Sequence, residues 1–171
     1  MLDFSKIEQG TKSYRRAPHS LADVVRFTAR AMQYPLEQQQ FVLRTEIEEN
    51  MPPARVDRDA IEQAILNLLA NAMKYSGESR EIAIRLRSEG GMAVIEVSDQ
   101  GIGIDPSEQA RIFERFYRVS SPDNDRIPGT GLGLTLVQHI ADAHDGRITV
   151  RSAPGQGSTF SLFIPLEGAT P

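Results

Sequence analysis

Two asparagines and a lysine follow one another at helical spacing in the stretch "NLLANAMKYS", residues 67–76. On a helical wheel with about 100° per residue, Asn67, Asn71 and Lys74 fall within about 60° of one another, away from the apolar side. Side chains at i, i+4 and i+7 stack along a helix, so these three can address successive parts of one elongated ligand. The Asn71 amide can supply a neutral oxygen to Mg²⁺, and Lys74 can neutralise a phosphate. A solvated helix face is the alternative that the stripe alone leaves open.

An aspartate and two glycines stand at the end of a predicted strand in "SDQGIGID", residues 98–105. The carboxylate of Asp99 can accept a hydrogen bond from an exocyclic amine. Gly101 and Gly103 allow the backbone to turn and to approach a flat ring closely. A plain turn is the alternative reading, and a calcium loop is excluded because further oxygen ligands at EF-hand spacing are missing.

A second glycine-rich stretch, "GTGLGLTLVQHI", opens a predicted helix with Gly129, Gly131 and Gly133. Unpaired backbone N–H groups and the helix dipole favour a phosphate chain at such a position. The pattern is not a dinucleotide-binding fingerprint, since position 134 is Leu, and no Walker lysine follows. Close packing of a helix against the sheet is the alternative function of the glycines.

The interval 104–128 lacks sustained periodicity and is far longer than the usual connection of roughly 4 to 6 residues. It contains "RIFERFYR", in which Phe113, Phe116 and Tyr117 can anchor the segment while Arg115 and Arg118 stay free to meet an anion. The interval therefore predicts a lid, with a short surface helix carrying solvated arginines as the alternative.

Caps and periodicity predict the helices and short strands that position these groups. Ser20 and Asp23 resemble a capping box, so a helix begins near Ser20, and Asp57 or Asp59 caps a second helix that runs to about Tyr75. Further predicted elements are a strand at 41–47, a hairpin of 82–88 and 92–98, a helix from the glycines at 129–133 to His144, and a final hairpin of 147–152 and 158–165. This order favours a two-layer α/β sandwich with a mixed sheet.

Composition limits the classes of function. The chain has 171 residues, 40% of them hydrophobic, which suits one domain with a sizeable core. A net charge of −4 with scattered basic residues gives no support for a nucleic-acid or membrane partner. There is no cysteine, which removes disulfides and thiolate chemistry, and no apolar run is long enough to cross a bilayer. A soluble, cytoplasmic fragment is the expectation.

Taken together and in this order, the stretches "NLLANAMKYS", "DQGIGI", "FERFYR", "GTGLGL" and "HDGRITVRSAPGQGSTFSLFIP" resemble the motifs of sensor histidine kinases. The resemblance is to their catalytic ATP-binding domain, in the wider group that includes DNA gyrase, the Hsp90 chaperones and MutL. It covers nearly the whole chain and implies a mixed, mainly antiparallel sheet with about three helices. Because "LDFSKIEQG" is similar to the end of a dimerisation helix, residues 1–17 are expected to be that end and a linker, and 18–171 the catalytic domain.

The resemblance also implies roles for individual residues. Asn71 corresponds to the Mg²⁺ ligand, and Asp99 to the residue that contacts adenine. Asn67, Lys74 and Arg118 correspond to catalytic groups. The implied nucleotide-binding residues are Asn67, Asn71, Lys74, Tyr75, Asp99, Gly101, Gly103, Ile104, Tyr117, Arg118, Gly129, Thr130, Gly131, Leu132, Gly133 and Leu134. ATP and Mg²⁺ are the implied cofactors, and a dimerisation domain and a response regulator are the implied partners.

The residue four positions before Asn71 separates branches of this group. The resemblance to gyrase and Hsp90 would imply a glutamate that activates water at this position. This chain has Asn67 there instead, and an amide cannot act as a general base. Transfer to an external acceptor is therefore favoured over hydrolysis. The three histidines, His19, His139 and His144, do not match the acceptor pattern H-E-x-x-T-P. The alternatives are an anti-sigma-factor type serine kinase and a module that only senses nucleotide.

Overall fold

Three helices of eleven or more residues accompany a five-stranded sheet in the part of the chain that the structure describes. The structure is a computed structural model and describes residues 13–114 and 133–168. The strands are β1 (Ala17–His19), β2 (Val42–Ile47), β3 (Ala54–Val56), β4 (Glu81–Glu89), β5 (Met92–Asp99), β6 (Arg147–Ser152) and β7 (Ser158–Pro165). The helices are α1 (Leu21–Gln38), α2 (Arg58–Lys74), α3 (Pro106–Gln109) and α4 (Gly133–Ala143).

Both long N-terminal helices begin at the residues that the sequence predicts. The Ser20 hydroxyl accepts a hydrogen bond from the Asp23 backbone N–H at 3.3 Å, and the Asp57 carboxylate accepts from the Ala60 N–H at 3.1 Å. Each bond satisfies one of the N–H groups that a helix leaves unpaired in its first turn. Of the two caps proposed for α2, Asp57 is therefore the one that the fold uses, and α2 ends at Lys74.

The large sheet has the strand order β2-β4-β5-β7-β6. Strand β2 pairs parallel to β4, and the other three pairings are antiparallel, so the sheet is mixed and mainly antiparallel. The β4–β5 connection is the predicted hairpin, and its two turn residues Gly90 and Gly91 have φ of 55° and 79°. Such a turn needs positive φ at both positions, which glycine adopts without steric cost.

One face of this sheet carries the core. Alternate side chains of β4, β5 and β7 are buried against the helices, as the period of two in a strand requires: Ile82, Ile84, Leu86, Ala93, Ile95, Val97, Phe160, Leu162 and Ile164. Helices α1, α2 and α4 contribute the facing apolar residues. The predicted two-layer α/β arrangement is confirmed.

A small second sheet was not predicted. Strand β1 pairs antiparallel with β3, with Pro18 opposite Arg55. Strand β1 begins at Ala17, next to the predicted division between 1–17 and 18–171, and that division stays a prediction. Within the described part of the chain, no helix combines the length and the apolar character needed to span a membrane.

Candidate functional site

Helix α2 has the two faces that its sequence predicts. Its apolar face is buried and comprises Ala60, Ile61, Ala64, Ile65, Leu68, Leu69 and Ala72. On the polar side, Asn67 and Asn71 are half-buried and Lys74 is exposed. The polar side chains are therefore accessible to a ligand while the same helix is held firmly by the core.

Asn67 links α2 to the first residue of α4. Its Nδ2 donates to the Gly133 carbonyl oxygen at 3.4 Å, and its Oδ1 accepts from Gln63 Nε2 at 2.9 Å. The Gly133 end of the glycine-rich stretch thus meets the N-terminal end of the α2 polar stripe. Gln63, one turn earlier, was not singled out in the sequence, although its i, i+4 spacing to Asn67 was the available signal.

Asn71 and Lys74 have no side-chain hydrogen bond or ion pair to other residues within 13–114 and 133–168. A half-buried amide oxygen without a protein partner suits a metal that takes one or two protein ligands and completes its shell with water and phosphate. In the same ranges, no group of three or more His, Asp or Glu side chains is placed to hold a metal ion by itself.

Asp99 is a buried carboxylate at the end of β5, 7% exposed. Burial raises the pKa of its carboxyl to about 6, against the opposing effect of the backbone N–H groups of Gly101 and Ser158. The Gly101 N–H donates to Oδ1 at 2.9 Å. A buried acceptor of this kind costs free energy unless it is fully hydrogen-bonded, which suits a group that meets a donor on a ligand.

The glycines after Asp99 pack against protein backbone. A Cβ at Gly101 would lie 1.9 Å from the Tyr75 carbonyl oxygen, and a Cβ at Gly103, where φ is +72°, would lie 1.9 Å from the Ala153 carbonyl oxygen. The Ile102 N–H donates to the Tyr75 carbonyl at 3.1 Å. The described contacts of both glycines thus explain their presence, and close approach to a nucleotide ring stays a prediction.

The start of the interval 104–128 is tied to the sheet. The Ile104 N–H donates to Ser152 Oγ at 2.8 Å, and Gln109 Nε2 donates to the carbonyls of Ile104 and Ser152 at 3.0 and 2.8 Å. The four-residue helix α3 begins after Asp105, whose carboxylate caps it. Sequence reasoning missed Ser152 and Gln109, since nothing local distinguishes them from other surface polar residues.

Phe113 anchors the next part of this interval. Its ring lies edge-on to that of Phe160 with centroids 6.4 Å apart, and the Thr135 hydroxyl of α4 donates to its carbonyl at 2.8 Å. This confirms the predicted anchor at Phe113. The other predicted residues of the interval, Arg115, Phe116, Tyr117 and Arg118, lie outside the described residues.

Helix α4 begins at Gly133, and Leu134 packs partly buried against the core. Among the described residues, a Cβ at Gly133 would meet nothing within 4 Å. The helix ends at Ala143, close to the predicted end near His144. The rest of the predicted phosphate turn, Gly129, Thr130, Gly131 and Leu132, lies outside the described residues.

Two histidines have structural surroundings. His144 is buried, its Nε2 accepts the Asp57 backbone N–H at 3.0 Å, and its Nδ1 is 2.7 Å from the Ile140 carbonyl oxygen. Burial lowers the pKa of His144. Nδ1 of His139 is 3.1 Å from the Tyr14 hydroxyl. That neither histidine is a phosphate acceptor stays a prediction.

This fold and this arrangement of the helix stripe, the buried aspartate and the glycine segments define an ATP-binding domain of a known class. Residues 56–168 match the family of histidine kinase-, DNA gyrase B- and HSP90-like ATPases, and the chain belongs to that family. Within the family it resembles the catalytic domain of sensor histidine kinases, as the following relatives show, which confirms the resemblance seen in the motifs.

The named relatives include a histidine kinase and a sensor protein. The chain is 35% identical over 167 residues to the circadian input-output histidine kinase CikA of Synechococcus elongatus, which covers 96% of this chain and 22% of CikA. It is 36% identical over 166 residues to the alginate biosynthesis sensor protein KinB of Pseudomonas aeruginosa, covering 97% of this chain and 27% of KinB. The chain thus spans about a quarter of the length of these relatives.

A solved structure has a similar fold. Full-length ShkA in complex with AMPPNP superposes with a TM-score of 0.83 and 27% identity, covering 99% of this chain and 35% of ShkA.

Proposed function

We propose that this chain is the ATP-binding catalytic domain of a two-component sensor histidine kinase. It binds Mg·ATP along α2 and donates the γ-phosphoryl group to a histidine on a dimerisation domain. A response regulator then receives the phosphoryl group. Since ATP is the donor, we place the domain on the cytoplasmic side of the cell. The relatives support this assignment, because those with named activity are histidine kinases.

One observation carries the proposal: the two glycine segments contact α2 at opposite ends of its polar stripe, one at Asn67 and the other at Tyr75, the residue that follows the helix. The turn after Asp99 packs on the carbonyl of Tyr75, and Gly133 accepts from Asn67. An elongated ligand lying along α2 would therefore meet Asp99 near one end and the N-terminus of α4 near the other. This order suits adenine at the buried carboxylate and phosphates at the helix N-terminus.

Magnesium fits the donor chemistry of this surface. Asn71 offers a half-buried amide oxygen with no partner among the described residues, and the metal would neutralise phosphate charge when bound. Lys74 is exposed beside it and adds positive charge. Asn67 supplies no base, so positioning and charge neutralisation carry the catalysis.

The remaining assignments complete the proposed nucleotide site. Tyr75 and Ile104 lie beside the turn that carries Asp99, and Leu134 follows Gly133 in α4. We further propose that Arg118 and the stretch from Gly129 to Leu134 hold the phosphates, and that Tyr117 also contacts the nucleotide.

The test supplies the chain with Mg²⁺, ATP labelled at the γ-phosphate and a separate dimerisation domain that carries an acceptor histidine. Label on the acceptor that is lost in acid and kept in base is expected, because phosphohistidine is acid-labile. The chain alone should bind Mg·ATP without becoming labelled. Acid-stable label, or acid-labile label on the chain itself, would refute the proposal, as would failure to bind Mg·ATP.

A further inference from the structure

Gln63 lies one turn before Asn67 on α2, and the two side chains are hydrogen-bonded. Gln63 Nε2 donates to Asn67 Oδ1 at 2.9 Å, whereas Asn67 Nδ2 reaches the Gly133 carbonyl oxygen only at 3.4 Å. The first bond has a favourable length, and the second is long for an N–H···O hydrogen bond. The link from α2 to α4 is therefore the weaker of the two contacts of Asn67.

The two contacts require the same orientation of the Asn67 amide. With Oδ1 toward Gln63, Nδ2 faces the Gly133 carbonyl and can donate to it. If the amide were turned over, Oδ1 would face the carbonyl oxygen, so two acceptors would meet. The Gln63 donor and the Gly133 acceptor together hold the amide in the orientation in which Asn67 joins the two helices.

We propose that Gln63 is a positioning residue, which acts on the nucleotide site through the Asn67 amide and the Gly133 carbonyl. This inference rests on the proposed function, because Gly133 belongs to the stretch assigned there to the phosphates. Without the Gln63 donor, Asn67 rotates between orientations and holds the start of α4 less often. The phosphate end of the site is then less well ordered before the ligand binds.

The surroundings of Gln63 allow a clean substitution. Its side chain is exposed and borders a cavity of about 340 Å³, which is also lined by Tyr14, Asp59, Leu136 and Ile140. An unbranched side chain of similar length fits there without displacing neighbours, so Gln63→Met removes the donor and little else. A matched control is Gln33→Met on α1, because Gln33 Nε2 donates to Glu37 Oε1 four residues on, at 3.1 Å.

The first measurement needs no nucleotide. In a heteronuclear NMR spectrum of the chain, the two side-chain amide protons of Asn67 are expected to shift toward the values of a free amide in Gln63→Met. They should be unchanged in Gln33→Met. If the Asn67 signals stay where they are in Gln63→Met, the inference is refuted, whatever the chain binds.

The second measurement is the affinity for Mg·AMPPNP. Gln63→Met is expected to weaken binding by about twofold to tenfold, the effect of one hydrogen bond, and Gln33→Met to leave it unchanged. In an Asn67→Ala background the effect of Gln63→Met should vanish, because the two residues act as one unit. An equal loss of affinity in the wild-type and Asn67→Ala backgrounds would show a direct contact of Gln63 with the ligand and overturn the inference.

The two measurements separate the inference from the function on which it rests. If the Asn67 signals move as expected but the wild-type chain does not bind Mg·AMPPNP, the proposed function fails and the hydrogen-bonded unit stands. If wild type binds and neither the signals nor the affinity respond to Gln63→Met, only the positioning role fails.

Discussion

His144, just after the end of α4, and Asp57, just before the start of α2, are joined by a hydrogen bond in which the ring nitrogen Nε2 accepts the Asp57 backbone N–H at 3.0 Å. Only a neutral imidazole can accept at Nε2, and the Nδ1 proton then points to the Ile140 carbonyl. The residue that caps α2 is therefore fixed in part by a histidine distant in sequence.

Protonation of His144 should destabilise the fold in acid. Its pKa lies below the ordinary value of 6.5 because the ring is buried, so the unfolded chain binds the proton more strongly. The contribution of neutral His144 to the free energy of unfolding is therefore fully present above pH 6.5. It is lost as the pH falls toward the lower pKa of the folded state. In His144→Phe the Asp57 N–H loses its partner, which should cost about 1 to 3 kcal/mol at pH 8.

Urea unfolding at pH 8 and pH 5.5 measures both effects. The difference in unfolding free energy between the two pH values should be smaller in His144→Phe than in wild type. An equal difference in both would mean that other groups cause the acid loss.

Asp99 should determine the choice of base. GTP presents a carbonyl oxygen where ATP presents the exocyclic amine, so the carboxylate and the base would both be acceptors. ATP should be preferred by roughly tenfold to a few hundredfold, and Asp99→Ala should lose most of the affinity and most of the preference. Titration with both nucleotides gives the ratio, and Asp105→Ala, which alters the exposed cap of α3, is the control. An unchanged ratio in Asp99→Ala would contradict the adenine contact.

The same preference should depend on pH. Since the pKa of Asp99 is raised to about 6 by burial, its carboxylate is ionised above that pH and protonated below it. A protonated carboxyl can donate to the GTP carbonyl, so the ATP to GTP affinity ratio should fall as pH drops from 7.5 to 5. A ratio that stays constant over this range would show that Asp99 does not titrate in contact with the base.

Gly101 and Gly103 should be intolerant of a methyl group. Gly101→Ala and Gly103→Ala each place a Cβ within 2 Å of a backbone oxygen, and overpacking of this kind costs about 1 to 3 kcal/mol or more. Gly133→Ala is the control for thermal unfolding, because its Cβ would meet nothing within 4 Å in 13–114 and 133–168 and alanine favours the helix. Equal melting temperatures for all three variants would contradict the packing seen here.

Asn71 should act through the metal. Asn71→Ala is expected to weaken nucleotide binding in the presence of Mg²⁺ more than in its absence, because it removes an oxygen ligand. Asn71→Asp keeps an oxygen at that position and should retain the Mg²⁺ dependence. Calorimetric titration with and without Mg²⁺ compares the variants, and equal losses in both conditions for Asn71→Ala would assign the residue a purely structural role.

Local signals in the sequence determined much of this fold. Caps at Ser20 and Asp57 predicted where α1 and α2 begin, and the period of two with paired glycines predicted the β4–β5 hairpin. Strands β1 and β3 were missed because three-residue strands have no measurable period and their pairing joins distant segments. The short helix α3 was missed because four residues are too few to show a helical period.

At the site, the sequence predicted which residue types face a ligand but not how they are held. The polar stripe on α2 follows from helical geometry. In contrast, the Asn67 to Gly133 bond and the packing of Gly101 on Tyr75 depend on tertiary contacts between segments far apart in the chain. Local periodicity carries no information about such contacts.

The β4–β5 turn also provides an attachment point. In the register of this hairpin, Glu89 faces Met92 at the turn, whereas Asp99 faces Ile82 at the opposite end. Seven residues of strand separate the two ends by about 23 Å at roughly 3.3 Å per residue. Because the chain has no cysteine and Glu89 is exposed, Glu89→Cys would give a single thiol for a dye or a surface linkage, well separated from Asp99.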